Sequence, residues 1–220
     1  MYDVITSEPP PPRTAFTVNL YTKEYYEMAL RHLKPSGIMT QWIPLHSQGK
    51  HEVAMHFKTF LSVFPHAIAW MPVANEMVII GSNRPIDIDF EKLKERFSDP
   101  VVSRVMQEIQ IPDAFSFLGN IWFLENQMND LARSQPEITD NRPAIEFYLD
   151  LGKAIGVYER EDFVFARVPF GEIVSRISKM PYSDQKRLKA IYDGMGLYQR
   201  GVMYGNRELL LESLVKLGGS

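Results

Sequence analysis

The chain has 220 residues, 45% of them hydrophobic and 12% aromatic, which is enough apolar material for one good core and a small second unit. Its 24 basic and 27 acidic residues leave a formal charge of -3 and are interspersed, so no basic stripe is available to neutralise phosphates and nucleic acid is excluded as the expected partner. The absence of cysteine excludes disulfides and thiolate metal sites; with no secretory leader pattern after Met1 and no apolar run near the roughly 18 residues of a membrane helix, the expectation is a cytoplasmic protein without a membrane segment.

Val4-Ile5 runs into Pro9-Pro10-Pro11-Pro12 and reads as a short buried strand ended by residues that cannot donate to a ladder. Thr22 caps a helix in which Tyr26, Ala29 and Leu33 recur, and Lys34-Pro35-Ser36-Gly37 reads as its stop. Ile38 to Ile43 is apolar nearly throughout, as parallel strands covered on both faces are. Val53, Phe57, Phe60, Leu61 and Phe64 stripe a helix that Pro65 ends. Ala67 to Met71 and Glu76 to Ile80 are close enough to form an antiparallel hairpin.

Asp87 and Asp89 precede a helical stripe of Phe90, Leu93 and Phe97, and Asp99-Pro100 opens another through Val101, Val105 and Ile109. The aromatic-rich stretch Phe115 to Leu124 reads as a buried helix, and Ala144 to Tyr148 as a short strand. Ser183 is placed as the cap of a helix using Leu188, Ile191 and Tyr192, with Gly194-Met195-Gly196 as a helix break. Leu210, Leu211, Leu214 and Leu217 stripe the last helix, so the tail reads as a helical hairpin. The expected organisation is α/β: residues 1–84 carry two parallel strands and an antiparallel hairpin of an open sheet, 85–150 a helical region closing with a short strand, and 151–220 an all-helical extension.

Ligands of open α/β sheets sit outside the carboxyl ends of parallel strands, where loops diverge and helix N-termini point inward. That rule selects Glu8 after the first strand, and Gln41 and His46 on and after the second. A carboxylate there takes a proton from an amine nucleophile or holds a cation, an amide orients it, and a histidine titrates near neutrality. Each residue also has a plainer reading: Glu8 as a solvated loop acid, Gln41 beside Trp42 as a core amide, and Asp140 with Arg142 as a local turn pair rather than a crevice wall. His46, His51 and His56 recur at spacings of five, which puts them on different helix faces and favours structural or surface roles over a metal site. No glycine cluster follows a strand, so no phosphate or ribose loop is visible.

Tyr2-Asp3-Val4-Ile5-Thr6-Ser7-Glu8-Pro9-Pro10-Pro11-Pro12, Leu20 to Tyr26, Leu33 to Ile38 and Gln41 together resemble the spermidine synthase family, above all bacterial spermidine synthase-like proteins with Glu-Pro-Pro-Pro where the polyamine enzymes have an Asp-containing loop. Val63 to Ala67 and Thr139 to Pro143 with Glu146 are similar to that subgroup too, so the resemblance covers roughly residues 2 to 150. It implies the C-terminal half of a Rossmann-like, methyltransferase-type sheet and a transferase moving an aminopropyl group from decarboxylated S-adenosylmethionine to an amine. Glu8 falls on the family's proton-accepting aspartate; Gln41 and His46, selected by the strand-end rule, and Asp140, as a wall of the crevice, are the expected substrate contacts. Two features depart from the pattern: Pro11 falls where the family has a second acid for the diamine, and the tyrosine-bearing loop has no counterpart between Met71 and Glu76. The family's glycine loop and ribose-binding acid belong to strands before the one starting at Tyr2, so the expectation is a chain that binds no cofactor alone and is inactive unless a missing N-terminal half is supplied. The alternatives are a non-catalytic interaction or homo-oligomerisation module derived from that fold, or a methyltransferase-like enzyme of other substrate.

Overall fold

The computed structural model describes residues 1–12, 14–45, 48–74, 76–146 and 166–218. The chain divides into two compact units, one of residues Met1–Ile86 with Trp122–Arg167, the other of Asp87–Ile121 with Val168–Ser220.

The first unit is built on a mixed five-stranded sheet in the order β1-β2-β4-β3-β6, which makes the protein α/β as its pattern indicates. β1 (Tyr2–Ser7) and β2 (Leu33–Pro44) run parallel, joined by a crossover through α1 (Lys23–His32). β3 (His66–Val73) and β4 (Glu76–Ser82) form the antiparallel hairpin, and β4 inserts between β3 and β2. Thr22 caps α1 as read, its side chain accepting from the Tyr25 N–H. The helix stops earlier than its apolar spacing indicates: Leu33 is already extended, and Lys34 to Gly37 belong to β2. Pro35, whose ring drives Lys34 out of the helical region, keeps the helix from continuing.

α2 (Lys50–Leu61) turns Val53, Phe57 and Phe60 inward, where Tyr26 meets Phe60 edge-on at 5.1 Å and Phe57 meets Phe123 at 5.8 Å. Gly81 on β4 is obligatory for this packing, because a Cβ there would lie 2.3 Å from the Phe60 ring. The stretch Phe115 to Leu124 is not one helix. It is α5 (Ala114–Gly119) followed by the strand β6 (Ile121–Leu124), the fifth of the sheet, and α6 (Glu125–Ala132) comes next. Of the strand read at Ala144 to Tyr148, residues 144–146 form turns and 147–148 lie outside the described residues.

In the second unit, α3 (Phe90–Ser98) and α4 (Pro100–Glu108) lie where the sequence reads its two helical stripes, and their N-caps are Asp89 and Asp99. β5 (Ile88–Asp89) pairs in parallel with β7 (Ile177–Ser178), which follows α7 (Phe170–Ser175). The tail is a hairpin of α8 (Tyr182–Tyr204) and α9 (Arg207–Gly218). Its N-cap is Pro181 rather than Ser183, and α8 runs unbroken through Gly194 and Gly196. Gly194 is a contact point, not a break: a Cβ there would lie 2.8 Å from Leu217 Cγ. No helix among the described residues is long and apolar enough to cross a membrane.

Candidate functional site

The parallel register brings Ser7 opposite Gln41, so Glu8 leaves β1 one residue beyond Gln41's neighbour. Pro9 has no N–H with which to prolong the ladder, and the chain turns away with Glu8 exposed. Gln41 shares the fully buried face of β2 with Met39 and Ile43. Its Nε2 donates to the Trp42 carbonyl at 3.1 Å, while its Oε1 is buried with no donor facing it. An acceptor in that state costs about 1–3 kcal/mol. Asp140 is exposed in a turn closed by the Thr139–Arg142 bridge, and its backbone N–H donates to Glu24 Oε2 on α1 at 3.1 Å. His46 lies outside the described residues. Glu8 and Gln41 are thus brought to one strand end, while Asp140 is tied to α1.

The loop after Glu8 is held by groups that sequence reasoning did not assign to it. Before Glu8, the Tyr25 hydroxyl donates to Ser7 Oγ at 3.0 Å. After it, the wholly buried Tyr21 directs its hydroxyl at the carbonyls of Pro10 and Pro9, at 3.2 and 3.4 Å. The far end is pinned where the Phe16 N–H donates to Glu146 Oε1 at 2.9 Å. Phe16 adopts a φ of 63°, unusual for a non-glycine residue, and its ring is exposed. The tyrosines carry no motif of their own: their apolar spacing marks a core face, and only the fold shows where the hydroxyls reach.

The Tyr21 ring meets His56 edge-on at 4.9 Å. Gln48 fixes the state of that histidine. Its Nε2 donates to the Pro44 carbonyl at 3.0 Å, which leaves Oε1 facing His56 Nε2 at 2.7 Å, so the imidazole must donate from Nε2 and keep Nδ1 as a bare acceptor. Burial disfavours its cation and pushes the His56 pKa down to about 3. His56 is therefore a neutral structural group beneath the two loops. His51 is exposed and within 3.2 Å of the Gln135 amide, so the two histidines do not share a ligand.

Among the described residues β1 is an edge strand, with no strand paired on its outer side. On the same flank lies an apolar hollow of about 400 Å³ lined by Tyr2, Val4, Ile5, Tyr25, Met28 and His32, and the Tyr2 and Val4 side chains are exposed. A carboxylate exposed at the end of a parallel strand can accept a proton or meet a hydrogen-bond donor. Compared with known proteins, the chain matches no family model and no curated sequence.

Proposed function

We propose that the strand-end crevice of β1 and β2 is the amine side of an aminopropyltransferase-like site, within the C-terminal half of a Rossmann-like, methyltransferase-type sheet. The amine nitrogen attacks the carbon beside the sulfonium of decarboxylated S-adenosylmethionine, the C–S bond breaks with release of the thioether, and the amine proton passes to Glu8. One observation supports the reading: parallel pairing of Ser7 with Gln41 puts the exposed Glu8 one residue past the strand partner of a buried amide whose oxygen has no hydrogen-bond donor. Such a pair suits an N–H-bearing, cationic ligand. With no acid at Pro11, a polyamine-like substrate is held less firmly than in the family resembled, and its identity is broader than putrescine. In this reading the sulfonium substrate is held by a segment that adds to the outer side of β1, unpaired among the described residues, because the transfer needs carbon and amine held in line.

The test joins the chain to a segment that supplies those strands, measures binding of decarboxylated S-adenosylmethionine by calorimetry, and follows thioether release. Glu8→Gln is expected to lower the rate by about 10²- to 10⁴-fold, the usual worth of a positioned base. Absence of binding with and without the added segment would sink the proposal. A second reading has its own support: the free edge of β1, with Tyr2 and Val4 exposed beside the apolar hollow, suits a non-catalytic module that pairs with a second copy. Light scattering showing a monomer at high concentration counts against it.

A further inference from the structure

We propose that Tyr21 and Tyr25 are positioning residues that clamp Glu8 from both sides, and that His56 and Gln48 join this clamp to the loop after β2. The proline run makes such a clamp necessary. Pro9, Pro10, Pro11 and Pro12 have carbonyls but no N–H groups, so the segment makes no ladder of its own; the Thr14 N–H donates to the Pro11 carbonyl at 2.9 Å, and the Pro9 and Pro10 carbonyls next to Glu8 need a donor from elsewhere. The Tyr21 hydroxyl is that donor, shared between two successive carbonyls. The Tyr25 hydroxyl fixes Ser7 on the other side of Glu8. With Ser7 held on one side of Glu8 and the Pro9 and Pro10 carbonyls on the other, the backbone at Glu8 is fixed from both directions.

The connection to β2 is equally specific. From Tyr21 the path runs through its edge-on contact to His56, then through the 2.7 Å bond to Gln48, and ends on the Pro44 carbonyl where β2 stops. Tyr21 and His56 have no exposed surface and Gln48 is 7% exposed, so water does not compete for these contacts. The amide of Gln48 has one orientation that satisfies both neighbours, and His56 has one tautomer. The two strand-end loops therefore share one buried frame of hydrogen bonds and a ring contact, and a ligand seated by one meets a fixed partner on the other. The inference rests on the reading of Glu8 as the group that meets an amine.

Two measurements on the full chain test it. In the first, the amide order parameter of Glu8 is measured by ¹⁵N relaxation in the wild type, Tyr21→Phe and Tyr25→Phe, with Tyr198→Phe as control. Both clamp variants keep their rings and are expected to fold. Their Glu8 amide is expected to fall from about 0.85, typical of rigid backbone, toward about 0.6, while the control stays unchanged; an unchanged Glu8 in both clamp variants overturns the clamp. In the second, putrescine is the probe, and its dissociation constant is measured in a double-mutant cycle of Tyr21→Phe with Glu8→Gln. Tyr21→Phe is expected to weaken binding by about threefold to tenfold, the worth of one hydrogen bond. It is expected to add nothing when Glu8 is already Gln, because Tyr21 acts through Glu8. Additive effects of the two substitutions mean a merely structural tyrosine and overturn the inference. Failure of the wild-type chain to bind putrescine overturns the amine reading of Glu8, and the relaxation result then decides the clamp by itself.

Discussion

Replacing His56 with Gln separates a buried neutral histidine from every other source of acid sensitivity. The substitution keeps a nitrogen donor for Gln48 Oε1 while removing the titrating ring. In the folded protein, burial holds the His56 pKa at about 3, well below its ordinary 6.5. The unfolded chain therefore takes up a proton that the folded chain refuses, so stability falls as pH drops below about 6.5 and keeps falling until about pH 3. Within that window the slope approaches about 1.4 kcal/mol per pH unit, and between pH 7.5 and 5.0 the wild type is expected to lose about 2 kcal/mol from this residue. For a chain of this size that corresponds to about 4–8 °C in Tm. Urea unfolding of wild type and His56→Gln across this range, followed by tryptophan fluorescence, measures the difference; all other titrations are common to both proteins and cancel. His56→Gln is expected to be less stable at pH 7.5, through loss of the edge-on contact with Tyr21, and flatter in its pH dependence. Equal slopes in the two proteins would refute the reasoning, because they would mean that His56 is open to protonation in the folded state.

Gly81→Ala drives a methyl into the Phe60 ring and to 2.9 Å from Phe64 Cβ; the overpacking is expected to cost about 1–3 kcal/mol, read as a lower urea midpoint at unchanged m-value. Asp99→Ala removes the side-chain acceptor of the Val101 and Val102 N–H groups at the start of α4, a helix with no buried residue of its own. A loss of about 1 kcal/mol is expected, visible as faster hydrogen exchange at the amides of α4 while the sheet keeps its protection.

The parts of the fold legible in the sequence are those where one local rule acts alone. The hairpin of β3 and β4 follows from two apolar runs and a short connection, and the caps Thr22, Asp89 and Asp99 follow from side chains that can accept from exposed helix N–H groups. The misplaced elements are those where two rules compete. Ile121-Trp122-Phe123-Leu124 is four consecutive apolar residues, a length at which periodicity does not separate a buried strand from a helical turn, and the aromatic residues before it bias the reading towards helix. Gly194 and Gly196 carry the composition of a break, yet the close approach of Leu217 to Gly194 rewards a continuous helix more than glycine's conformational freedom opposes it. Strand-end logic anticipates that Glu8 and Gln41 come to one end of β1 because it needs only the order of two parallel strands. Tyr21, Gln48 and His56 stay hidden, since what matters about them is where a hydroxyl, an amide and a ring nitrogen meet, and no spacing encodes that.

The outer edge of β1, unpaired among the described residues, makes the catalytic reading and the self-association reading compete, and strand polarity shows how. A parallel strand added beside β1 brings its own carboxyl end next to Glu8, so its following loop joins the crevice, as a bound sulfonium substrate requires. A second copy closing a twofold dimer through the same edge pairs β1 with itself antiparallel, because an isologous contact exchanges equivalent residues. That arrangement sets the Tyr2 end of one copy beside the Ser7 end of the other, and the exposed Tyr2 side chain then stands over Glu8. Edge dimerisation and amine binding are accordingly expected to oppose one another: raising the protein concentration through the dimer transition, measured by light scattering, weakens the apparent affinity for putrescine. Val4→Lys, which places a charge on the exposed edge, is expected to shift the chain to monomer and restore that affinity. If affinity is the same in monomer and dimer, the contact between copies lies elsewhere and the edge of β1 stays open to the strand that the transferase reading requires.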